Sequence, residues 1–167
     1  MLRELTISTQ YDVDPAMACG AVLVKDKGFV EVTPGEEYRD EERGYSLWEY
    51  AEPNGDIRAC LMRVDGDRTS PRWHIKPEAG DDVGLNYYEL HKVVSGIGTM
   101  VVEREGHIFY EAPLPRLTDD RPLPVATDST FHIRSESGSS ESDPASTYVL
   151  ATFPEAPFKL KYEERLD

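Results

Sequence analysis

The chain alternates short segments rich in β-branched and aromatic residues with turns of Gly, Pro, Asn and Asp. This pattern is typical of strands, and the predicted strands cover 20–25, 28–32, 45–50, 57–64, 72–75, 86–95, 98–103, 107–111, 131–135, 147–152 and 158–162. The turn Pro53-Asn54-Gly55 between two of these segments is a strong hairpin signal. No long amphipathic helix is found, so the pattern predicts an all-β sandwich or barrel.

The remaining segments connect these strands. Residues 4–7 form a first short strand or an arm, and the acidic segment 34–43 forms a loop or one short helix. The proline-rich segment 113–124 cannot be a central strand, since proline lacks the amide that a ladder needs. Residues 135–146 have the Ser, Glu, Asp and Gly content of a mobile loop.

Composition narrows the class of protein. With 167 residues, 39% of them hydrophobic and 30% charged, the chain is expected to be one globular domain. Its formal net charge of −14 argues against nucleic acid and anionic membrane as partners, since both attract a basic surface. Cys19 and Cys60 form no CxxC motif, and residues 1–10 do not resemble a signal peptide. We therefore expect a cytoplasmic protein with reduced core thiols.

The candidate chemistry begins in the segment 87–98, YYELHKVVSGIG. Because strand side chains alternate, Tyr87, Glu89, His91 and Val93 share one face. A carboxylate and an imidazole side by side can be surface residues, or they can be half of a metal site.

The four histidines are His74, His91, His107 and His132; three of them lie inside predicted strands, and His107 is the first residue of the predicted strand 107–111. A metal site needs ligands from strands that converge across a cavity, and a closed barrel provides such convergence.

The motifs resemble those of the cupin superfamily, whose members are small jelly-roll β-barrels. Glu89 and Gly96 keep the spacing of the first cupin motif, within the strand-turn-strand texture VVSGIGTMVVE. The histidine pair that precedes this glutamate corresponds to His74-Ile75-Lys76, so a lysine replaces the second histidine. The second motif corresponds to 127–133, which keeps His132 but has Thr and Ser where cupins have Pro and Gly.

The resemblance implies a cupin-like jelly-roll β-barrel with an N-terminal strand extension, in a single domain of residues 1–167 with a barrel core of about 57–152. It also implies a divalent metal, Fe, Zn, Ni or Mn, held by His74, Glu89 and His132. A protonated Lys76 cannot ligate a metal, because an ammonium group is only a donor. His91 is the candidate replacement, since it shares a strand face with Glu89.

Two placements of these strands remain open. In one, Glu89 and His91 face water, and the apolar members of their strands face the core. In the other, Glu89, His91 and His132 line the interior, which leaves Leu90, Val94, Phe131 and Ile133 outside and in need of a cover. The interior placement therefore predicts a homodimer.

Four further residues have a functional and a structural alternative. Tyr87 could orient a substrate or act as an acid-base phenol, or it could simply pack. Arg134 could bind a substrate carboxylate, or form a salt bridge in this acidic chain. Lys76 could be a base of lowered pKa beside a metal, or an exposed loop residue. His107 follows a turn and is expected to be exposed.

Three functions follow from the resemblance. The first is a metal-dependent enzyme, of dioxygenase or isomerase, lyase or cyclase type, that acts on a small oxygenated molecule. The second is a metal-independent epimerase- or dehydratase-like enzyme with His74 or His132 as base and Tyr87 as acid. The third is a non-catalytic barrel that binds a small molecule, for which a cavity lined with apolar residues would be the mark. The sequence contains no Gly-rich phosphate loop, nucleophile elbow or zinc-finger spacing.

Overall fold

The computed structural model describes residues 21–24, 27–77, 88–115, 123–126, 129–136, 146–152 and 158–162. In 21–24, 75–77, 88–95, 123–126 and 158–162 the description is of the backbone.

All regular structure in the described ranges is β-strand. In chain order the strands are β1 Ala21–Val24, β2 Gly28–Glu31, β3 Thr33–Pro34, β4 Tyr38–Asp40, β5 Tyr45–Ala51, β6 Ile57–Val64, β7 Trp73–Pro77, β8 Tyr88–Ser95, β9 Gly98–Arg104, β10 His107–Pro113, β11 Leu123–Ala126, β12 Thr130–Ser135, β13 Thr147–Thr152 and β14 Phe158–Tyr162. No helix in this part of the chain is long and apolar enough to cross a membrane.

The strands form two large antiparallel sheets and one hairpin. The five-stranded sheet has the order β10-β9-β12-β7-β14, and the seven-stranded sheet has the order β11-β8-β13-β6-β5-β3, with β4 also paired to β5. Strands β1 and β2 pair with each other. Several neighbours in the large sheets are far apart in sequence, as in β12-β7 and β13-β6, so the fold depends on long-range pairing as well as on hairpins.

The main core lies between the two large sheets, and both sheets contribute alternate residues to it. Its buried members are Tyr45, Cys60, Met62, Val64, Trp73, Met100, Val102, Leu114, Phe131, Ile133, Val149 and Ala151. A second cluster on the opposite face of the seven-stranded sheet contains Val32, Trp48, Tyr50, Ala59, Leu61, Tyr148 and Leu150. The central strands β6 and β13 are thus covered on both faces, which explains their nearly continuous apolar sequences.

A buried ion pair closes the β5–β6 hairpin. Nε of Arg58 donates to Oε2 of Glu52 at 2.7 Å, and each side chain is only 6% exposed. The turn between the strands contains Gly55 with a φ of 93°, a left-handed conformation that favours glycine. The predicted hairpin is confirmed.

Most predicted strands are confirmed, and one segment is corrected. The predictions 57–64, 147–152 and 158–162 coincide with β6, β13 and β14. The segment 34–43 is neither a plain loop nor a helix, because it contains β4, which pairs with β5. Pro124 lies in β11 at an edge of the seven-stranded sheet, where a missing amide is tolerated. The predicted arm at 4–7 lies outside the described residues.

Candidate functional site

His132 lies on the outer face of the five-stranded sheet, not inside the barrel as the interior placement required. Its neighbours Phe131 and Ile133 are fully buried in the main core. Because side chains alternate along a strand, a histidine between two core residues must face the other way. The physical reason for the correction is that the apolar members of β12 fill the interior.

The surroundings of His132 are polar and charged. Arg72 and Glu103 form an ion pair on this face, with 3.0 Å between Nε and Oε2. The imidazole is half-buried, and its Nδ1 is buried without a hydrogen-bond partner. Burial lowers the pKa of His132 below its usual value, against the opposing effect of the Glu103 charge. A neutral half-buried imidazole of this kind has the protonation state of a base.

His74 lies on the same outer face. It is paired in register with Thr130, while its neighbour Trp73 is paired with Phe131 and lies in the core. The two rings of Trp73 and Phe131 are 5.6 Å apart between centroids. His74 and His132 therefore each stand one residue after an aromatic residue that occupies the interior. Backbone position 76 has the same strand parity as His74 and lies on the outer face.

The backbone positions of Glu89 and His91 lie on the other sheet. His91 is paired with Ala151 and Val93 with Val149, and both partners belong to the main core. Paired residues share a face, so positions 89, 91 and 93 are on the core-facing side of the seven-stranded sheet. For β8, the interior placement agrees with the observed strand pairing. For β12, the interior placement disagrees with it.

His74 and His132 therefore lie on the outer face of the five-stranded sheet, whereas backbone positions 89 and 91 belong to the seven-stranded sheet. His74 and His132 are separated from positions 89 and 91 by the layer of core side chains between the sheets. In the described ranges no group of three or more His, Cys, Asp or Glu side chains could hold a metal ion. The ligand set stays a prediction for Glu89 and His91, and Tyr87 lies outside the described residues.

Arg134 takes the structural alternative. Its exposed guanidinium donates to Oε1 of Glu111 at 2.7 Å and to Oε1 of Glu136 at 3.3 Å. Two carboxylates of the chain thus pair with Nε and Nη2 of this guanidinium, as the salt-bridge alternative predicts. His107 is exposed and Cys60 is buried in the main core, as predicted, while Cys19 lies outside the described residues.

A cleft that the sequence analysis missed opens between the sheets beside β5. It has a volume of about 380 Å³ and is lined by Gly35, Glu36, Tyr38, Tyr45, Leu47, Glu49 and Trp73. Its floor consists of alternate residues of β5, and Trp73 comes from the opposite sheet. We call these seven residues the aromatic cleft.

Two backbone contacts place the 35–38 segment over β5. The amide of Gly35 donates to the carbonyl of Glu49 at 2.7 Å, and Tyr38 is paired in register with Leu47. A Cβ at residue 35 would lie 3.2 Å from that carbonyl oxygen, so glycine permits the close approach.

Aromatic rings form one wall of the cleft. The ring centroids of Tyr38 and Tyr45 are 5.9 Å apart, and those of Tyr45 and Trp73 are 5.7 Å apart in an edge-to-face arrangement. Tyr45 and Trp73 are almost completely buried, whereas Tyr38 is 57% exposed. The wall thus has a rigid inner part and an outer ring at the entrance.

One signal in the sequence could have pointed to this cleft. Tyr45, Leu47 and Glu49 have the same parity on β5, so a carboxylate follows two core residues on the core-facing side. A charged residue at a core position is either paired or at an opening. Glu49 is exposed, which identifies the opening.

Comparison with solved structures identifies the fold. The chain is similar to oxalate decarboxylase from Bacillus subtilis, with a TM-score of 0.52 and 14% identity over 77% of this chain and 30% of that chain. It is also similar to vicilin from Corylus avellana, with a TM-score of 0.52, 10% identity and 76% and 34% coverage. For the coconut allergen cocosin, the TM-score is 0.53, the identity 12% and the coverage 81% and 33%.

These proteins share the cupin fold, and the all-β chain has this fold, as the sequence motifs predicted. The chain spans about a third of the length of each of these structures. No protein-family model matches the sequence, and no curated protein matches it.

Proposed function

We propose that this chain is a cupin-fold protein that binds a small organic molecule in the aromatic cleft. The observation that carries the proposal is the cleft itself, an open space of about 380 Å³ with buried aromatic residues on the core-facing side of both sheets. Binding pockets are typically concave and apolar, with a few polar groups that fix the ligand's orientation. Glu36 and Glu49 are such groups here.

The binding function accounts for the described residues better than metal chemistry does. One of the structurally similar proteins, the Bacillus subtilis oxalate decarboxylase, has Mn(II) centres. In this chain His74 and His132 lie on the outer face, and Trp73 and Phe131 fill the interior beside them. The described side chains do not fit a metal, so we derive no catalytic step through one.

Tryptophan fluorescence offers a direct test. The chain contains two tryptophans, and only Trp73 lines the cleft, while Trp48 belongs to the second cluster. A Trp48→Phe variant therefore reports on the cleft alone. We expect members of a library of small molecules of mixed charge to change the emission of Trp73.

Two variants that add the same charge distinguish binding in the cleft from binding elsewhere on the surface. Leu47→Arg places a bulky cation in the cleft, and its flexible stem lets the guanidinium reach water. Ile108→Arg makes the same change on the exposed strand β10. Ligands that bind in the cleft should be lost in the first variant and kept in the second. The proposal is wrong if no ligand changes the emission, or if binding survives Leu47→Arg.

A metal-dependent enzyme is the second candidate, because one observation favours it. The register of β8 puts positions 89 and 91 on the core-facing side, where the resemblance expects a glutamate and a histidine ligand. Elemental analysis of protein purified without a chelating tag tests this candidate. Near-stoichiometric metal that is lost in His91→Ala would support it, and metal-free protein after reconstitution would remove it.

The predicted homodimer stays a prediction. Part of its basis was that Phe131 and Ile133 would lie outside the barrel and need a cover. Both are covered by the core of their own chain, so this part of the argument no longer applies. Sedimentation analysis of the intact chain would decide the oligomeric state.

A further inference from the structure

We propose that the ligand of the aromatic cleft is a small organic ammonium ion. This inference rests on the proposed binding function and adds the chemical class of the ligand. It is carried by two features that occur together, a wall of aromatic rings and two carboxylates that have no cationic partner among the described residues.

The first feature is the wall of Tyr38, Tyr45 and Trp73. The faces and edges of aromatic rings differ in electrostatic potential, and a cation is attracted to the negative face. The edge-to-face contact of Tyr45 and Trp73 at 5.7 Å sets the two rings at 78° to each other. Tyr38 is 57% exposed, so its ring is the one that an alkylated ammonium group contacts at the entrance, with the buried rings of Tyr45 and Trp73 behind it.

The second feature is the charge of the lining. Glu36 and Glu49 both line the cleft, and none of its described lining residues is a lysine, an arginine or a histidine. No ion pair to either of these exposed carboxylates is found within the described ranges, whereas the two glutamates that are buried there are paired. Glu52 binds Arg58 at 2.7 Å, and Glu103 binds Arg72 at 3.0 Å.

The combination discriminates between ligand classes. An anion would be repelled by both carboxylates, and the described cleft offers no cation to compensate. A neutral polar molecule could stack on the rings, but it would gain nothing from the charges. An organic cation uses both features, since its alkyl groups contact the rings while its charge is balanced by the carboxylates. The cleft's volume of about 380 Å³ lies in the range of small-molecule pockets, so the cleft can hold a small organic cation.

The test compares choline with its neutral isostere, in which a tert-butyl group replaces the trimethylammonium group. The two probes have nearly the same shape, so the difference in their affinities reports the charge. In the Trp48→Phe background we expect choline to bind about tenfold more tightly than the isostere. Added salt should weaken choline binding only, because the carboxylates are solvent-exposed.

A Glu49→Gln variant removes one charge at nearly constant shape. It should abolish most of the preference for choline and leave the affinity of the neutral isostere unchanged. Glu105→Gln, in the exposed β9–β10 turn, is the matched control and should change neither affinity.

The outcomes distinguish this inference from the proposed function. If neutral molecules bind in the cleft at least as tightly as choline, the inference is wrong and the binding function stands. If choline binds with a preference that Glu49→Gln does not alter, the carboxylate has no role and the inference is also overturned. If neither the probes nor the mixed library binds, both proposals fail together.

Discussion

The position of Phe131 inside the barrel and of His132 outside it leads to a quantitative prediction. Phe131 is fully buried and packs against Trp73, with 5.6 Å between the ring centroids. Truncation of such a residue removes its transfer free energy and leaves a cavity, so Phe131→Ala should lower the free energy of unfolding by about 3–5 kcal/mol. His132 is half-buried and its Nδ1 has no hydrogen-bond partner, so His132→Ala should cost less than about 1 kcal/mol.

The expected difference is large enough for routine measurement. Domains of this size have a total stability of about 5–15 kcal/mol, so Phe131→Ala would remove a substantial fraction of it. The corresponding decrease in Tm is about 6–20 °C, from about 2–4 °C per kcal/mol.

Urea unfolding followed by far-UV circular dichroism gives the free energies without relying on Trp73, whose fluorescence Phe131 itself affects. Phe131→Leu, which keeps most of the volume, serves as the intermediate control and should cost about 1 kcal/mol. A His132→Ala variant at least as unstable as Phe131→Ala would refute the assignment of faces and return the histidine to the interior.

Three further predictions concern the ion pair, one imidazole and one glycine. Arg58→Ala removes the 2.7 Å partner of the buried Glu52 carboxylate and leaves it the half-exposed Lys27 at 3.7 Å, so it should cost about 3 kcal/mol in urea unfolding, the lower end of the range for a broken buried pair. Replacement of both residues by apolar ones of similar volume should cost much less, and an equal cost would contradict this explanation. Burial lowers the folded-state pKa of His132 below its unfolded-state value of 6.5. At a pH between these two values, the unfolded chain therefore binds more protons than the folded chain. The contribution of His132 to stability should be complete above pH 6.5 and decline as the pH falls through the folded-state pKa. An NMR titration of the His132 ring with a midpoint above 6.5 would contradict this. At Gly96 a Cβ would lie 2.6 Å from the carbonyl oxygen of Ser146, while at Gly106, which also has a positive φ, nothing lies within 4 Å. Gly96→Ala should therefore cost at least about 2 kcal/mol more than Gly106→Ala, and equal thermal denaturation midpoints would show that the close approach does not matter.

The candidate site was predictable only in part. The motif spacing from Glu89 to Gly96 led correctly to the cupin fold, and the structure explains the glycine by its φ of 86° and its close approach to residues 146 and 147. The same motifs placed His132 among the ligands and left its face open, and the structure puts it on the outer face of the five-stranded sheet. A motif that has lost its Pro and Gly no longer fixes the strand's parity, and a shift of one residue moves every side chain to the other face.

The aromatic cleft was not predictable from its residues one at a time. Tyr38 and Glu36 lie in an acidic segment that reads as a solvated loop, and Trp73 lies in a separate strand. Only the pairing of β4 with β5, and the packing of the two sheets, bring them to one space. No local pattern encodes contacts between residues so far apart in the chain.

The sequence by itself determined most of the strands, the hairpin at Pro53-Asn54-Gly55 and the class of fold. These features are local, since strand propensity and turn geometry depend on a few adjacent residues. Alternation also determined which residues share a face, such as Phe131 with Ile133 and His74 with Lys76. It could not determine which face is buried, because each strand has two faces and either can be covered. The tertiary structure decided this: the sheets enclose the face with the larger apolar and aromatic volume, and the histidines of β7 and β12 are left on the other.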